Sequence, residues 1–528
     1  MEEPKAPGKG YANYVLAVLV IVYVFNFIDR QILSILAEDV KADLGLDDAQ
    51  IGFLYGTAFA VFYAVFGIPL SRLADLWVRK SLIAVGLAFW SAMTALSGTA
   101  RSFGSLAAFR IGVGVGESSA SPAAFSMLGD YFPPARRATA VAIYSSGVYI
   151  GAGLGMLIGG QVVDRWNGAY PDITAAPFGL VGWQVAFLIV GLPGLLMAVW
   201  VWTLREPTRG ASEGIVQKVE EVNPLSVLIR EMAAVLPPLT LVSIFLAGGG
   251  VKGVILNLGI AAALALGAWG LIEAVGSASQ WIALGLGLYC FFSWLQGFAL
   301  RDRITFGMVY KSKAIVIGMI GFAWLAFVGY GFGFWMAPYF QRVHGVSAAE
   351  AGFILGLPIS ALGGWLGVTA GGVLSDVLRA RYPKARPYVG IFCALSSVPF
   401  GFLVLASESK NMAYVFAFFF QICSSCWIGS AVAMSNELVM PRMRATSSAY
   451  YILVVTFIGL ALGPYSIGQV STVLSSSGGD SGEALRTGMG YGLGAYLLAV
   501  LFLWISSRFV VQEEESRLDR ARALGEDV

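Results

Sequence analysis

The sequence predicts an all-α polytopic membrane protein: two six-helix bundles in a pseudo-twofold arrangement with two helices inserted between them, about fourteen spans in all. Composition, a succession of span-length apolar runs, and landmarks of the first half that recur in the second all point there. Of 528 residues 57% are hydrophobic and 12% are charged, and the mean hydropathy is +0.74. A soluble domain carries about 25% charged residues. At roughly 20 apolar residues per crossing, the length suits a dozen or more spans with short loops. The net charge of +2 comes from 34 Lys and Arg against 32 Asp and Glu, with no concentrated basic surface to bind nucleic acid. Cys290, Cys393, Cys423 and Cys426 all lie in apolar stretches, so neither a disulfide framework nor a zinc ribbon is indicated.

The first apolar run, Tyr14 to Leu36, is longer than a signal-peptide core of roughly 7–15 residues, and no small-residue cleavage site follows it. It is read as span one. Spans two to six follow at 51–70, 81–100, 104–128, 138–162 and 182–203. Spans seven to twelve lie at 314–340, 350–374, 388–406, 412–435, 446–470 and 487–508. These two series define an amino-terminal bundle, 1–204, and a carboxy-terminal bundle, 314–528. Between them, 205–313 opens with a charged stretch from Arg205 to Glu221 and a mixed stretch containing Pro237 and Pro238. Apolar runs at 253–273 and 279–299 then read as an inserted pair of spans, which keeps both bundles in one orientation. With the amino terminus inside, the inner segments of the two bundles carry seventeen Lys and Arg and the outer segments six. That is the direction of the positive-inside rule. Both termini are therefore expected in the cytoplasm, with the protein in the plasma membrane (the inner membrane if bacterial).

The bundles repeat in detail. PLSRLADLWVRK follows span two and GVLSDVLRAR follows span eight, placing Asp376 301 residues after Asp75. FPPARRATAVAIY follows span four and VMPRMRATSSAYY follows span ten, placing Arg444 307 residues after Arg137. Parallel six-span halves flanking a midplane site are a transporter architecture. Here the chain resembles the major facilitator superfamily across both halves. Its signature after span two, G-x-L-x-D-R-x-G-R-[RK], is met by Asp75, Arg79 and Lys80, while Ser71 and Val78 replace glycines. The span-four signature is met by RIGVGVGE from Arg110. Within the superfamily, RIGVGVGESSASPAAFSMLGDYFPPARRATA and the DRQ of span one look most like the Spinster lipid-transporter branch. The resemblance implies a secondary transporter with a lysophospholipid- or sphingolipid-like substrate.

Outside the loops and the insert, four charges sit away from the membrane edges: Asp29, Arg30, Arg110 and Glu117. Each costs about 2.5–3.5 kcal/mol at mid-membrane, so they must face a watery cavity or one another. Arg110 and Glu117, seven apart, share a helix face. Adjacent Asp29 and Arg30 point about 100° apart, so at most one faces squarely inward. The resemblance implies that spans one and four line the central cavity. Asp29 and Glu117 are read as proton carriers, because an apolar cavity favours the neutral carboxyl and a nearby arginine opposes it. Arg110 or Arg30 is read as the grip on an anionic headgroup, since guanidinium holds phosphate or carboxylate through two parallel hydrogen bonds. The competing reading is a static set of interhelical ion pairs, in which neutralising one partner costs folding rather than transport.

Asp75, Arg79, Asp130 and Arg137, with Asp376 and Arg444, lie at inner helix ends, and the resemblance implies a cytoplasmic gate between the halves; setting orientation is the plainer role. The glycines from Gly147 to Gly160 allow close helix packing, and Met156 stands where the superfamily's antiporter signature has proline. The second bundle has no mid-span charge. Span seven instead supplies Tyr330, Phe332, Trp335, Met336 and Tyr339, which suit an apolar tail, although lipid contact or packing explains such aromatics as well.

Cys423 and Cys426 stand in an apolar helix without the context of a redox motif, and GGGVKG near Gly248 lacks phosphate-loop spacing. His344 is the only histidine, which rules out an HExxH metal site. No enzyme, metal or other cofactor is expected. The reading is a proton-coupled, monomeric secondary transporter of an amphipathic anion, its partners being the substrate, protons and the bilayer. Carriers of small organic anions or drugs, and a passive lipid scramblase, are the alternatives.

Overall fold

A computed structural model describes residues 8–210 and 223–526; Lys5 of the charge count and residues 211–222 of the linker lie outside them. Among the described residues every regular element is a helix. Thirteen helices are long and apolar enough to cross a membrane. They account for every expected span but span four, which is present as two helices, Phe103–Glu117 and Ala120–Tyr131. This span holds two of the four interior charges. Span ten breaks in the same way, Lys410–Ser425 giving way to Ile428–Glu437. Both inserted spans form, as Gly250–Val275 and Ala278–Arg301.

Several helices exceed a bilayer's needs. Span one, Lys9–Leu44, has 36 residues, which is about 54 Å of helix against a hydrocarbon core of about 30 Å. Its stop is written in sequence: Gly45 takes a left-handed φ of 64° and donates its N–H to the Lys41 carbonyl. That conformation costs an ordinary L-residue about 1–2 kcal/mol. Asp47 then caps span two, its carboxylate accepting from the Gln50 N–H at 2.8 Å. The second half repeats the device 300 residues on, with Gly345 at φ 62° and Ser347 accepting from the Glu350 N–H at 3.2 Å.

The helices group into two compact units. The first holds most of the amino-terminal six spans, the start of the linker and, from the other sequence half, residues 347–357 at the start of span eight. The second holds the inserted pair, most of the carboxy-terminal six spans and residues 46–61 at the start of span two. The expected 205–313 segment is thus shared between the units. In the first unit, span five lies so close to span one that a Cβ on Gly151 would stand 2.5 Å from the Val24 carbonyl oxygen. The glycine run therefore does pack a helix, and it fixes span one beside the turn that carries Asp29 and Arg30.

Candidate functional site

Spans one and four bring the four interior charges together inside the first unit. Asp29 and Arg110 are fully buried, Glu117 is 1% exposed and Arg30 8% exposed. The pairing crosses between helices. Arg30 Nη2 donates to Glu117 Oε2 at 2.8 Å, while Arg110 Nη1 donates to the backbone carbonyl of Asp29 at 3.0 Å. Arg110 and Glu117 share a face as expected, but seven residues of helix separate them by about 10.5 Å, beyond the reach of one guanidinium. Both members of the Asp29–Arg30 step are engaged, one through its carbonyl and one through its side chain.

The environment is aromatic and amide-rich. The Arg30 guanidinium stands 4.7 Å from the Phe27 ring centre and 5.2 Å from that of Tyr63. Tyr23 stacks on Tyr144 at 4.3 Å, and Phe125 meets Tyr144 edge-on at 5.3 Å. Asn26 lies beside Glu117. Asp29 is the exception in this network. Both of its carboxylate oxygens are buried and accept no hydrogen bond of normal geometry, although the Trp90 indole and the Thr94 hydroxyl face them. No residue pattern in the sequence marked Asn26, Tyr63, Trp90 or Thr94, because neutral side chains in a span carry no anomaly.

At the end of the spans nearer the chain termini, Arg79, Asp130, Arg137 and Asp376 of the six expected gate residues make hydrogen bonds inside their own unit, while Asp75 and Arg444 are exposed. In the first unit Arg79, 1% exposed, binds the Asp130 carboxylate. It also donates to Glu206 at 2.7 Å and to the Pro207 carbonyl at 2.9 Å. Asp75 lies 3.8 Å from Arg72, both well exposed. Arg137 donates to the Gly129 carbonyl at 2.8 Å. In the second unit Asp376 pairs with Arg386 at 2.7 Å, and Arg386 with Glu437 at 2.7 Å. Arg444 is exposed at the start of its helix. Arg386 and Glu437 stand 307 residues after Arg79 and Asp130, the same shift that relates Arg137 to Arg444. Arg386 reads from the sequence as one of the seventeen inner basic residues, and Glu437 and Glu206 as ordinary helix-end acids.

At the far end, each unit contains a seam between the two sequence halves. In the second unit a Cβ on Gly52 would stand 2.6 Å from the Pro464 carbonyl oxygen, and one on Gly56 2.5 Å from that of Leu460. In the first unit the equivalent distances are 2.3 Å from Gly352 to Met156 and 2.5 Å from Gly356 to Gly153. IGFLYG and AGFILG place these glycines 300 residues apart, a signal present in the sequence but not weighed. A buried ion pair locks the second unit's seam: Arg342 donates through both Nη atoms to the two Asp48 oxygens at 2.7 Å. Ser471 Oγ adds a bond to Asp48 at 2.6 Å. The first unit has a weaker counterpart, the Ala349 N–H donating to Asp164 at 2.8 Å.

Of the span-seven residues, Phe332, Trp335 and Tyr339 are fully buried and Met336 is 5% exposed. Phe332 packs on Phe420 at 4.5 Å. The Trp335 indole donates to the Pro464 carbonyl at 2.8 Å, and the Tyr339 hydroxyl to that of Leu405 at 3.2 Å. Tyr330 alone of the five is partly exposed.

The comparisons with known proteins agree with this architecture. The family model of the Major Facilitator Superfamily matches residues 19–464. An MFS-type efflux pump of Mycolicibacterium smegmatis is 25% identical over 87% of this chain and 84% of its own length. The Drosophila melanogaster protein spinster is 24% identical over 87% of this chain, which spans 62% of the fly protein. Human protein spinster homolog 1 is 26% identical over 88% of this chain and 74% of its own length. Among solved structures, a bacterial homologue of the human lysosomal transporter Spinster, inward-facing and unoccupied, superposes with a TM-score of 0.68 at 28% identity. That match covers 97% of this chain and 99% of the homologue. With paired six-span halves, an interior charge cluster and a family match over most of its length, the chain belongs to the Major Facilitator Superfamily and is a transporter, not an enzyme, that resembles the Spinster branch.

Proposed function

We propose that the chain is a proton-coupled carrier of an amphipathic anionic lipid, of the lysophospholipid or sphingolipid type, working by alternating access. The carrying observation is the buried cluster of Asp29, Arg30, Arg110 and Glu117, two acids and two arginines held on spans one and four. The proton is assigned first to Asp29, because a buried carboxylate faced by the neutral Trp90 indole and Thr94 hydroxyl, with no guanidinium hydrogen-bonded to it, is costly until a proton discharges it. Glu117 is the second carrier, coupled to Arg30. An incoming phosphate or carboxylate would compete with Glu117 for Arg30 and draw on the remaining donors of Arg110. Tail contact is assigned to the aromatic face of span seven, entered at Tyr330, with Phe332, Trp335, Met336 and Tyr339 becoming available as the two sequence halves part.

With both termini in the cytoplasm of a plasma-membrane protein, the far end faces outside, and its sealed seams represent one of the two states that alternating access requires. Asp75, Arg79, Asp130, Arg137, Asp376 and Arg444 supply the inner counterpart. One chain carries both halves, so a monomer is the transporting unit. A second reading, export of drugs or small organic anions, is favoured by the similarity to the mycobacterial efflux pump.

Uptake of labelled lysophospholipid and of small organic anions into proteoliposomes, with and without a proton gradient, separates these readings. Accumulation of the lysolipid above equilibrium, driven by the gradient, is the expected result. Accumulation of the small anions alone would favour the second reading. Lipid equilibration that ignores the gradient would mean a passive scramblase.

A further inference from the structure

The inserted pair is not a uniform lipid-facing addition. Its first helix, Gly250–Val275, has one buried residue, Asn257, which bonds Tyr289, Ser293 and Gln296 of the second helix at 2.7–3.0 Å. The pair is thereby a unit closed on itself. Its second helix docks where two sequence halves meet. The Thr57 hydroxyl of span two stands 2.6 Å from Gln280 Oε1 and 2.9 Å from the Ala461 carbonyl oxygen of span eleven, its one proton shared between them, and Thr57 and Gln280 are both fully buried. A Cβ on Gly287 would meet Val61 of span two at 2.5 Å and Phe457 of span eleven at 2.8 Å. Toward span eleven the hairpin has further ties, Gln469 donating to the Val275 carbonyl at 3.0 Å and Ser277 donating to Gln469 at 3.1 Å. Trp281 meets Tyr465 edge-on at 5.6 Å.

We infer that the inserted hairpin is a brace that holds the seam between spans two and eleven closed, with the Thr57–Gln280 hydrogen bond as its release point. The inference rests on the alternating-access reading, in which that seam must part. The asymmetry of the ties decides which bonds break. The hairpin is fastened to span eleven by hydrogen bonds at its turn and by Trp281 and Gly287 along its second helix, and to span two by the Thr57–Gln280 hydrogen bond and the packing of Gly287 on Val61. When the seam opens, the hairpin stays with span eleven and gives up Thr57. The junction is also within reach of water, because a polar cavity of about 350 Å³ lined by Asp47, Gln50, Ser277, Gln280 and Tyr465 lies at its far end.

The test uses the full chain in nanodiscs, with the four native cysteines replaced by serine and Ala60→Cys, a fully buried position of span two outside that cavity, as reporter. Membrane-impermeant maleimide reacts with it in proportion to the open fraction. Thr57→Val and Gln280→Leu should each raise the rate about 2- to 12-fold, the population shift that one buried neutral hydrogen bond sustains. Thr57→Ser, which keeps the donor, should restore the parent rate. Unchanged rates in Thr57→Val and Gln280→Leu proteins that elute and melt like the parent would overturn the inference, as would a Thr57→Ser protein as reactive as Thr57→Val. The readout needs neither substrate nor proton, so absence of lipid transport would leave it standing.

Discussion

The two repeats of this chain share a backbone and differ in what they bury. Counting 300 residues on from span one, through the paired stops at Gly45 and Gly345, Asp29 and Arg30 correspond to Gly329 and Tyr330. Counting 307 on from span four, through Arg79–Asp130 and Arg386–Glu437, Arg110 and Glu117 correspond to Ala417 and Ser424. Helix stops, caps, seam glycines and terminal-end ion pairs are held in common. The interior charges stand in one repeat alone. Structure that both repeats need is duplicated, whereas a side chain present once at membrane depth, where a charge costs about 2.5–3.5 kcal/mol, must be explained by something other than the scaffold.

The largest expected effect breaks this comparison at its charged side. Arg30→Ala leaves Glu117 buried without its guanidinium and should cost about 3–5 kcal/mol in thermal or denaturant unfolding. Arg30→Met with Glu117→Leu should recover much of that stability yet remain inactive in transport. Recovery of transport together with stability would mean that the pair is structural. Tyr330→Ala, at the equivalent place in the other repeat, should leave no buried charge and cost less than Arg30→Ala.

The terminal-end pairs sharpen the likeness. Arg79→Ala and Arg386→Ala should both destabilise, by about 2–3 kcal/mol. Arg79 should matter more, since it is the more buried and also ties down Glu206 and the Pro207 carbonyl of the linker. Equal melting shifts would show that the linker contact contributes nothing.

Smaller effects are expected at the seams. Gly52→Ala and Gly352→Ala each push a methyl group against a carbonyl oxygen, at 2.6 and 2.3 Å before relaxation. Each should cost about 1–3 kcal/mol and raise labelling from the far end. Matching effects in the two variants would confirm that the seams are one device used twice. A response at Gly52 alone would show that the Asp48–Arg342 lock makes the second unit's seam different.

Much of this was legible in the sequence, because hydropathy at span length and the order of repeated landmarks survive without knowledge of packing. The four interior charges were legible for the same reason, standing out against an apolar background. Their partners were not. Helical spacing placed Arg110 and Glu117 on one face but could not show that Arg30 reaches Glu117 across helices, or that Arg110 binds a backbone carbonyl, because only span packing sets those distances. Span four was expected as one helix; Pro122, which has no N–H to give the Ser118 carbonyl four residues back, stands just past the break after Glu117 but went unweighed. Asp48 and Arg342 read as ordinary loop-edge charges, and only the meeting of two sequence halves buries them together. The aromatic run of span seven showed its composition and not its packing, which buries Phe332 against span ten, Trp335 against span eleven and Tyr339 against span nine.

The central claim, that the charged repeat couples lipid movement to protons, is tested most directly with a pH dye trapped in proteoliposomes. Lysophospholipid added to the parent protein should drive proton movement. Asp29→Asn and Glu117→Gln proteins that remain folded should bind or exchange lipid without it. Lipid-driven proton movement that persists in Asp29→Asn, or a parent protein that moves lipid and no protons, would contradict the account.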